Sequence, residues 1–282
     1  MLHDPIGIAL AEDIGSGDVT ANSFIEPTLH GRARIIAKQN AVAAGVETAA
    51  EVFVCVDREL KVSAVRGSGS SMLPGEAVLE IEGAVRSILT GERVALNFLQ
   101  QLSGVATLTR RFVDAVAGTK AAILDTRKTT PGLRVLEKAA VRAGGGQNHR
   151  FGLFDMAMLK DNHFAARRKT STLREDIEQF REAHPGMRLE LEADTLEQVR
   201  EFLYIGGMDI ILLDNMTLTQ MREAVQLGTG TGVKFEASGG VTLETVRAIA
   251  ETGVDFISVG ALTHSAPAVD FSLEMEPDDV AR

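Results

Sequence analysis

Ala121-Ala122-Ile123-Leu124-Asp125-Thr126-Arg127-Lys128 is the stretch on which the fold turns: four uninterrupted apolar residues run into an acid, a hydroxyl and two cations. Such a run fits a strand buried on both faces, the habit of parallel sheets. Five more runs of this kind follow: Met156-Ala157-Met158-Leu159, Leu189-Glu190-Leu191, Asp209 to Leu213, Val233-Lys234-Phe235 and Asp255 to Val259. Nearly every one ends in a polar or glycine-bearing cluster: Lys160-Asp161-Asn162-His163, Glu192, Asp214-Asn215, Ser238-Gly239-Gly240 and Gly260-Ala261. Amphipathic stretches of roughly 10–20 residues separate the runs, so strand and helix alternate and a parallel sheet is expected. Chemistry at the C-terminal ends of successive strands belongs to an α/β barrel, whereas an open doubly wound sheet concentrates it at one switch point. A complete eightfold barrel takes about 250 residues, and region 105–265 offers about 160, so an incomplete barrel is expected.

Towards the N-terminus the pattern changes near residue 105. Short β-like runs (Arg32 to Ala37, Leu60 to Val65, Ala77 to Ile81) alternate with turn signals such as Leu73-Pro74-Gly75-Glu76. Ile88, Leu89, Leu96, Leu99 and Leu102 recur at helical spacing and predict one long helix over about Val85 to Ala117, with a kink near Ser103-Gly104. Region 1–104 therefore reads as a small α+β domain and 105–265 as the catalytic one. The tail, 266–282, is expected to pack back on the first, with its acidic part, Glu274 to Asp279, solvated.

The composition of the 282 residues, 45% apolar and 24% charged, is that of a globular chain. No apolar run reaches the roughly 18 residues that span a bilayer. Met1-Leu2-His3-Asp4 lacks the basic-then-apolar pattern of a signal peptide. The single cysteine, Cys55, cannot form an internal disulfide; a reducing cytoplasm is expected, with Cys55 a buried bystander in its apolar run. Net charge of −10 argues against nucleic-acid or anionic-membrane binding. Yet Lys120 to Lys169 carries +7, leaving −17 for the remainder. Arg167-Arg168-Lys169 fits a solvated loop or helix start; the other cations are scattered among Gly, Thr and apolar residues, as at an anion site.

Arg127 and Lys128 at a strand end suit a carboxylate or phosphate, the first by paired hydrogen bonds and the second as a point charge. Gly144-Gly145-Gly146-Gln147-Asn148-His149-Arg150 combines close backbone approach with directed donors. Lys160, also at a strand end, can pair with an anion or form a Schiff base. Glu192 and Asp214, acids facing a cationic pocket, suit a hard divalent cation bridging to a polyphosphate. Ser238-Gly239-Gly240 and Gly260 to His264 follow the last two strands, where barrels often bind phosphate. One cysteine, and histidines without ligand spacing, exclude a zinc pattern.

Over nearly its whole length the sequence resembles the quinolinate phosphoribosyltransferase family. The resemblance rests on Glu12-Asp13-Ile14-Gly15 with Asp18-Val19-Thr20, Gly91 to Gln100, Leu102 to Thr107, and Asp125-Thr126-Arg127-Lys128-Thr129-Thr130-Pro131-Gly132-Leu133-Arg134. It continues through Asn148-His149-Arg150, Leu159 to His163, Leu213-Asp214-Asn215, and Gly253-Val254-Asp255 running into Gly260 to His264. It implies an N-terminal α/β sandwich domain plus an incomplete, seven-stranded α/β barrel. The implied reaction joins quinolinate to 5-phosphoribosyl-1-pyrophosphate (PRPP), giving nicotinate mononucleotide, pyrophosphate and carbon dioxide in NAD biosynthesis.

By matching position, the resemblance assigns Arg93, Arg127, His149, Arg150 and Lys160 to the quinolinate carboxylates. It assigns Thr126, Lys128, Glu192, Asp214, Ser238, Gly239, Gly240, Val259, Gly260, Ala261 and His264 to PRPP. Lys160, Glu192 and Asp214 are the catalytic expectations, with Mg²⁺ at or near Glu192 and Asp214. Arg93 is expected to reach a neighbouring subunit's pocket, in a homodimer or a hexamer of dimers. Ala139 departs from the family pattern, which commonly has an aromatic there.

Overall fold

A computed structural model describes residues 4–166 and 172–277. The run Arg167-Arg168-Lys169, the residues before Asp4 and those after Pro277 lie outside the described residues. Two compact units emerge, one made of residues 1–110, 129–145 and 261–282, the other of 111–128 and 146–260.

The first unit opens with helices α1 (Pro5–Ile14) and α2 (Val19–Phe24), each capped by an aspartate, Asp4 or Asp18, accepting a backbone N–H of the first turn. Strand β1 (His30–Ala37), the short β2 (Ala41–Val42), helix α3 (Val46–Val56), β3 (Lys61–Ala64), β4 (Ser71–Met72) and β5 (Ala77–Ala84) follow. Helix α4 (Val85–Ala115) then runs 31 residues without interruption through Ser103 and Gly104. Gly104 answers a packing need instead of a kink: a Cβ there would lie 2.3 Å from the Pro267 carbonyl oxygen. β1 alternates exposed and buried residues, the signature of a sheet with one covered face.

Cys55 corrects the sequence expectation. It is exposed, because the apolar run is an amphipathic helix that turns Val46, Ala49, Val52 and Phe53 inward and leaves Val54 and Cys55 outside.

The second unit is built on β6 (Ala122–Leu124). Helix α5 (Arg134–Ala143), which follows in the chain, belongs to the first unit. Next come β7 (Ala157–Leu159), α6 (Asp161–Ala166), α7 (Leu173–Ala183), β8 (Leu189–Ala193), α8 (Leu196–Ile205), β9 (Ile210–Asp214), α9 (Leu218–Leu227), β10 (Lys234–Ser238), α10 (Val246–Ala250) and β11 (Phe256–Ser258). The chain closes in the first unit with α11 (Ala261–His264) and β12 (Phe271–Pro277). There β12, β1, β5 and β3 form an antiparallel sheet. Residues 274–277 are thus paired strand, with the acidic side chains still facing solvent; Glu274 pairs with Lys38 at 3.0 Å, and Glu276 with Arg34.

The six apolar runs read from the sequence are the six parallel strands, ordered β6-β11-β10-β9-β8-β7. β8 is buried throughout, as a strand covered on both faces must be. Thr172, Thr195 and Thr217 start α7, α8 and α9 with reciprocal capping boxes, which fixes where each loop gives way to helix. The first two strands of the unit, β6 and β7, lie at opposite edges, so the barrel order is interrupted between them. The seventh strand implied by the resemblance is reduced to a one-residue parallel bridge, Gln147 to Leu124. From that segment the Arg150 guanidinium donates to the Met156 carbonyl at 3.2 Å, linking it to the lead into β7.

Candidate active site

Alternation along a strand sends every second side chain to the same side. In the parallel sheet this directs the ends of the strands into one cavity of about 530 Å³. Thr126, Arg127 and Lys128 come from beyond β6, His149 and Arg150 from beyond the Gln147 bridge, and Lys160 from the end of β7. Glu192 enters from β8, Asp214 and Asn215 from the end of β9, Ser238, Gly239 and Gly240 from the end of β10, and Ser258 from β11.

Lys160 and Glu192 form a direct ion pair, the ammonium two-fifths exposed and the carboxylate nearly covered. Thr126 Oγ1 accepts the Lys128 N–H at 3.0 Å and shapes the turn that carries the two cations. Asp125 is fully buried and accepts from Asn148 Nδ2 at 2.5 Å and from the His149 N–H at 2.8 Å, tying this turn to the His149-Arg150 segment. Burial draws the Arg150 guanidinium below its ordinary pKa, with Arg127 adding repulsion and Glu190 and Asp155 opposing.

Asn215 is the one described non-glycine residue with positive φ, 51°. Its N–H donates to the Ser238 carbonyl at 2.9 Å and its Nδ2 to Asp214 Oδ2 at 2.8 Å, so the strained residue aims the Asp214 carboxylate. Gly239, at φ 94°, leaves the space this needs: a Cβ there would lie 2.1 Å from Asn215 Oδ1.

At the base of the cavity, Glu190 and Glu236 are fully buried, each two residues before a strand-end residue of the cavity wall, Glu192 or Ser238. His149 Nε2 lies 3.1 Å from Glu190 and 3.4 Å from Glu236. Burial alone would lower the imidazole pKa, but the two carboxylates outweigh it and raise it to about 10. Glu190 is itself pushed up to about 6, by burial first and by Glu236 second. The Arg150 N–H donates to His149 Nδ1 at 2.7 Å and so opposes a second proton on that nitrogen. The carboxylates and the backbone agree on the first, which sits on Nε2. Ligand atoms of His149, Glu190 and Glu236 lie within 4.8 Å of one another. At 3.1 and 3.4 Å, however, nitrogen and carboxylates already meet as ion pairs, with the guanidinium of Arg150 nearby, which leaves little reason for a further cation.

Of the residues singled out in the sequence, Thr126, Arg127, Lys128, His149, Arg150, Lys160, Glu192, Asp214, Ser238, Gly239 and Gly240 line this cavity. Val259 is buried, its N–H donating to the Leu124 carbonyl at 2.9 Å, and Gly260 follows it at the end of β11. Ala261 and His264 lie on α11 in the other unit; His264 is exposed, with Nδ1 2.6 Å from Ser265 Oγ. Arg93 lies on α4, its side chain 60% exposed and 4.0 Å from Glu92. Gly144 serves packing, since a Cβ there would lie 2.4 Å from the Ala106 carbonyl. None of Gly144, Gly145 and Gly146 lines the cavity. Ala139 is on the exposed side of α5. Met158, Leu212, Glu236 and Ser258 also line the cavity without having stood out. Strand alternation from Lys160, Asp214 and Ser238 would have found the first three.

Residues 18–103 match the family model described as quinolinate phosphoribosyl transferase, N-terminal domain, and residues 105–274 match that of its C-terminal domain. A Bacillus subtilis protein named "Probable nicotinate-nucleotide pyrophosphorylase (carboxylating)" is 44% identical over 266 residues, 94% of this chain and 90% of the relative. The chloroplastic nicotinate-nucleotide pyrophosphorylase (carboxylating) of Arabidopsis thaliana is 43% identical over 97% of this chain and 82% of its own length. The crystal structure of NadC from Streptococcus pyogenes superposes with a TM-score of 0.90 at 40% identity, covering 97% of this chain and 96% of that one.

Proposed function

Since the chain belongs to the quinolinate phosphoribosyltransferase family, we propose that it transfers the phosphoribosyl group of PRPP to quinolinate with loss of carbon dioxide, yielding nicotinate mononucleotide and pyrophosphate for NAD synthesis. One observation carries this: Arg127, Lys128, Arg150 and Lys160 converge on a single cavity with Glu192, Asp214 and a glycine loop. A dicarboxylate and a polyphosphate together need that surplus of cations, and a sugar developing positive charge needs the acids.

In this reading, Arg127, His149, Arg150 and Lys160 orient the quinolinate carboxylates. Thr126, Lys128, Ser238, Gly239, Gly240, Val259, Gly260, Ala261 and His264 receive PRPP. Glu192 and Asp214 are oxygen donors of the kind Mg²⁺ takes alongside substrate phosphates, and they would hold that ion. When bound, it neutralises charge on the pyrophosphate. As the bond from ribose C1 to pyrophosphate lengthens, the electron pair leaves with pyrophosphate and the quinolinate nitrogen bonds to C1. Glu192 and Asp214 face the positive charge that grows on the sugar, and Lys160, paired to Glu192, holds that carboxylate in place. The alkylated nitrogen then accepts electron density as the adjacent carboxylate departs as carbon dioxide, and the ring carbon takes up a proton. Because Lys160 is already an ion-paired ammonium, charge pairing describes it better than Schiff-base chemistry.

Arg93 would enter the pocket of a second copy, in a homodimer or a hexamer of dimers, and its exposure on α4 suits such a role. The functional domains would meet between residues 104 and 105, as the starts and ends of the two family models there favour, and the tail would pack on the first, whose sheet takes in β12. No described helix is long and apolar enough to cross a membrane. The single cysteine fits a cytoplasmic enzyme.

Lys128→Ala tests the site map. Removing one charge-assisted hydrogen bond to the pyrophosphate predicts a PRPP KM about tenfold higher or more, with quinolinate KM little changed. An unchanged PRPP KM would remove Lys128 from the pocket.

A further inference from the structure

Two fully buried carboxylates lie at the base of a cavity whose proposed task is to hold anions, which is a costly arrangement if they are idle. Taking a charge out of water is costly unless partners compensate. Glu190 and Glu236 stand on β8 and β10, on the inner side of each strand and one layer deeper than Glu192 and Ser238. None of their four carboxylate oxygens has a well-formed hydrogen bond, and their approach to His149 Nε2 at 3.1 and 3.4 Å is the feature they share. His149 is held from its other sides as well. Its backbone N–H goes to Asp125 at the end of β6, and its Nδ1 faces the N–H of Arg150. The charged groups around the ring are therefore Glu190, Glu236, Asp125 and Arg150, with Arg127 acting on Arg150.

We propose that Glu190 and Glu236 are positioning residues that clamp the His149 ring through its Nε2 proton, and so fix the His149-Arg150 segment as the rigid cationic floor of the acceptor pocket. The clamp gives the two acids a function that a purely apolar barrel interior would lack. Glu236 reaches the lining of the cavity and Glu190 does not, but both are buried against His149 and steady the segment that carries the donors. An apolar pair in its place would take both partners from His149 Nε2 and leave Asp155 as the carboxylate that still offsets the burial of Arg150. The consequence falls on the acceptor, because the segment that moves carries acceptor-binding groups, whereas the glycine loop and Lys128 lie on other strand ends. This last step rests on the proposed quinolinate reaction; the clamp itself does not.

Two measurements test it. In the substrate-free protein labelled with ¹⁵N-histidine, His149 is assigned by the signal absent from His149→Asn. Its Nε2 is expected to keep a directly bonded proton from pH 6 to 9. An Nε2 that gives up its proton with a midpoint near the ordinary 6.5 of histidine would overturn the clamp. In turnover, Glu190→Gln and Glu236→Gln are expected to raise quinolinate KM about tenfold while PRPP KM stays within about twofold. Glu236→Asp is expected to recover part of the loss. Equal effects on both substrates, or none on either, would overturn the positioning role. If the unaltered protein does not turn over quinolinate at all, the functional reading fails, and the histidine titration still decides the clamp.

Discussion

Replacing Gly239 by alanine strikes the point where backbone geometry and the Asp214 carboxylate are coupled. The new Cβ would sit 2.1 Å from Asn215 Oδ1, on a residue whose φ of 94° suits glycine. Placing an L side chain at that φ costs about 1–2 kcal/mol. Asn215 must also move, and it loses its 2.8 Å hydrogen bond to Asp214, worth about 0.5–1.5 kcal/mol. Together they predict a stability loss of about 2–3 kcal/mol, or a Tm lower by about 4–12 °C for a unit of this size. A misaimed Asp214 should raise PRPP KM by up to about tenfold and leave quinolinate KM nearly unchanged. Differential scanning calorimetry and initial-rate kinetics read both effects. Steric obstruction has a sharper consequence in the double variant with Asn215→Gly. With the obstructing side chain gone, the two substitutions should couple by about 1 kcal/mol or more, costing less together than their separate sum. Strict additivity, or an unchanged Tm in Gly239→Ala, would refute the reasoning.

Two other expectations follow from the same structure. Arg93→Ala and Lys160→Ala should each be inactive alone, yet mixing and reassociating them should recover about a quarter of normal activity, because one pocket in each mixed dimer would have both groups; no recovery despite subunit exchange would rule out a shared pocket. Burial opposes ionisation of Asp255, but the Phe235 N–H, Lys120 and Lys234 outweigh it and hold its pKa below the usual value, so its contribution to stability is complete above about pH 4 and is lost as pH falls through the lowered pKa. Asp255→Asn should therefore lower Tm at pH 7, with the gap closing under acid, and a gap that persists unchanged at pH 2 would contradict that assignment.

What could be read in advance followed from physical regularity. A strand buried on both faces has to be apolar, so Ile123-Leu124 and Ile211-Leu212-Leu213 announced themselves, as did the polar clusters after them. The long helix was legible because Ile88, Leu99 and Leu102 keep helical spacing. Cys55 misled because an apolar run does not reveal which residues of a helix face outward. The Gly144-Gly145-Gly146 run resembled a ligand loop, although Gly144 is small to admit the Ala106 carbonyl. The strand at Gln147 escaped because one residue has no period. Glu190 and Glu236 were the most deeply hidden: strand alternation puts them on the same side as Glu192 and Ser238, but their meeting at His149 brings together three distant stretches of chain and shows only in the folded sheet.

The most direct test of the proposed activity is a turnover assay with quinolinate, PRPP and Mg²⁺ that follows nicotinate mononucleotide and carbon dioxide together, with nicotinate as a parallel acceptor. The two products are expected in equal amounts from quinolinate, with none from nicotinate, and both should disappear on chelation of the metal. A folded protein that leaves quinolinate untouched in fresh PRPP, or that ribosylates nicotinate instead, would contradict that activity.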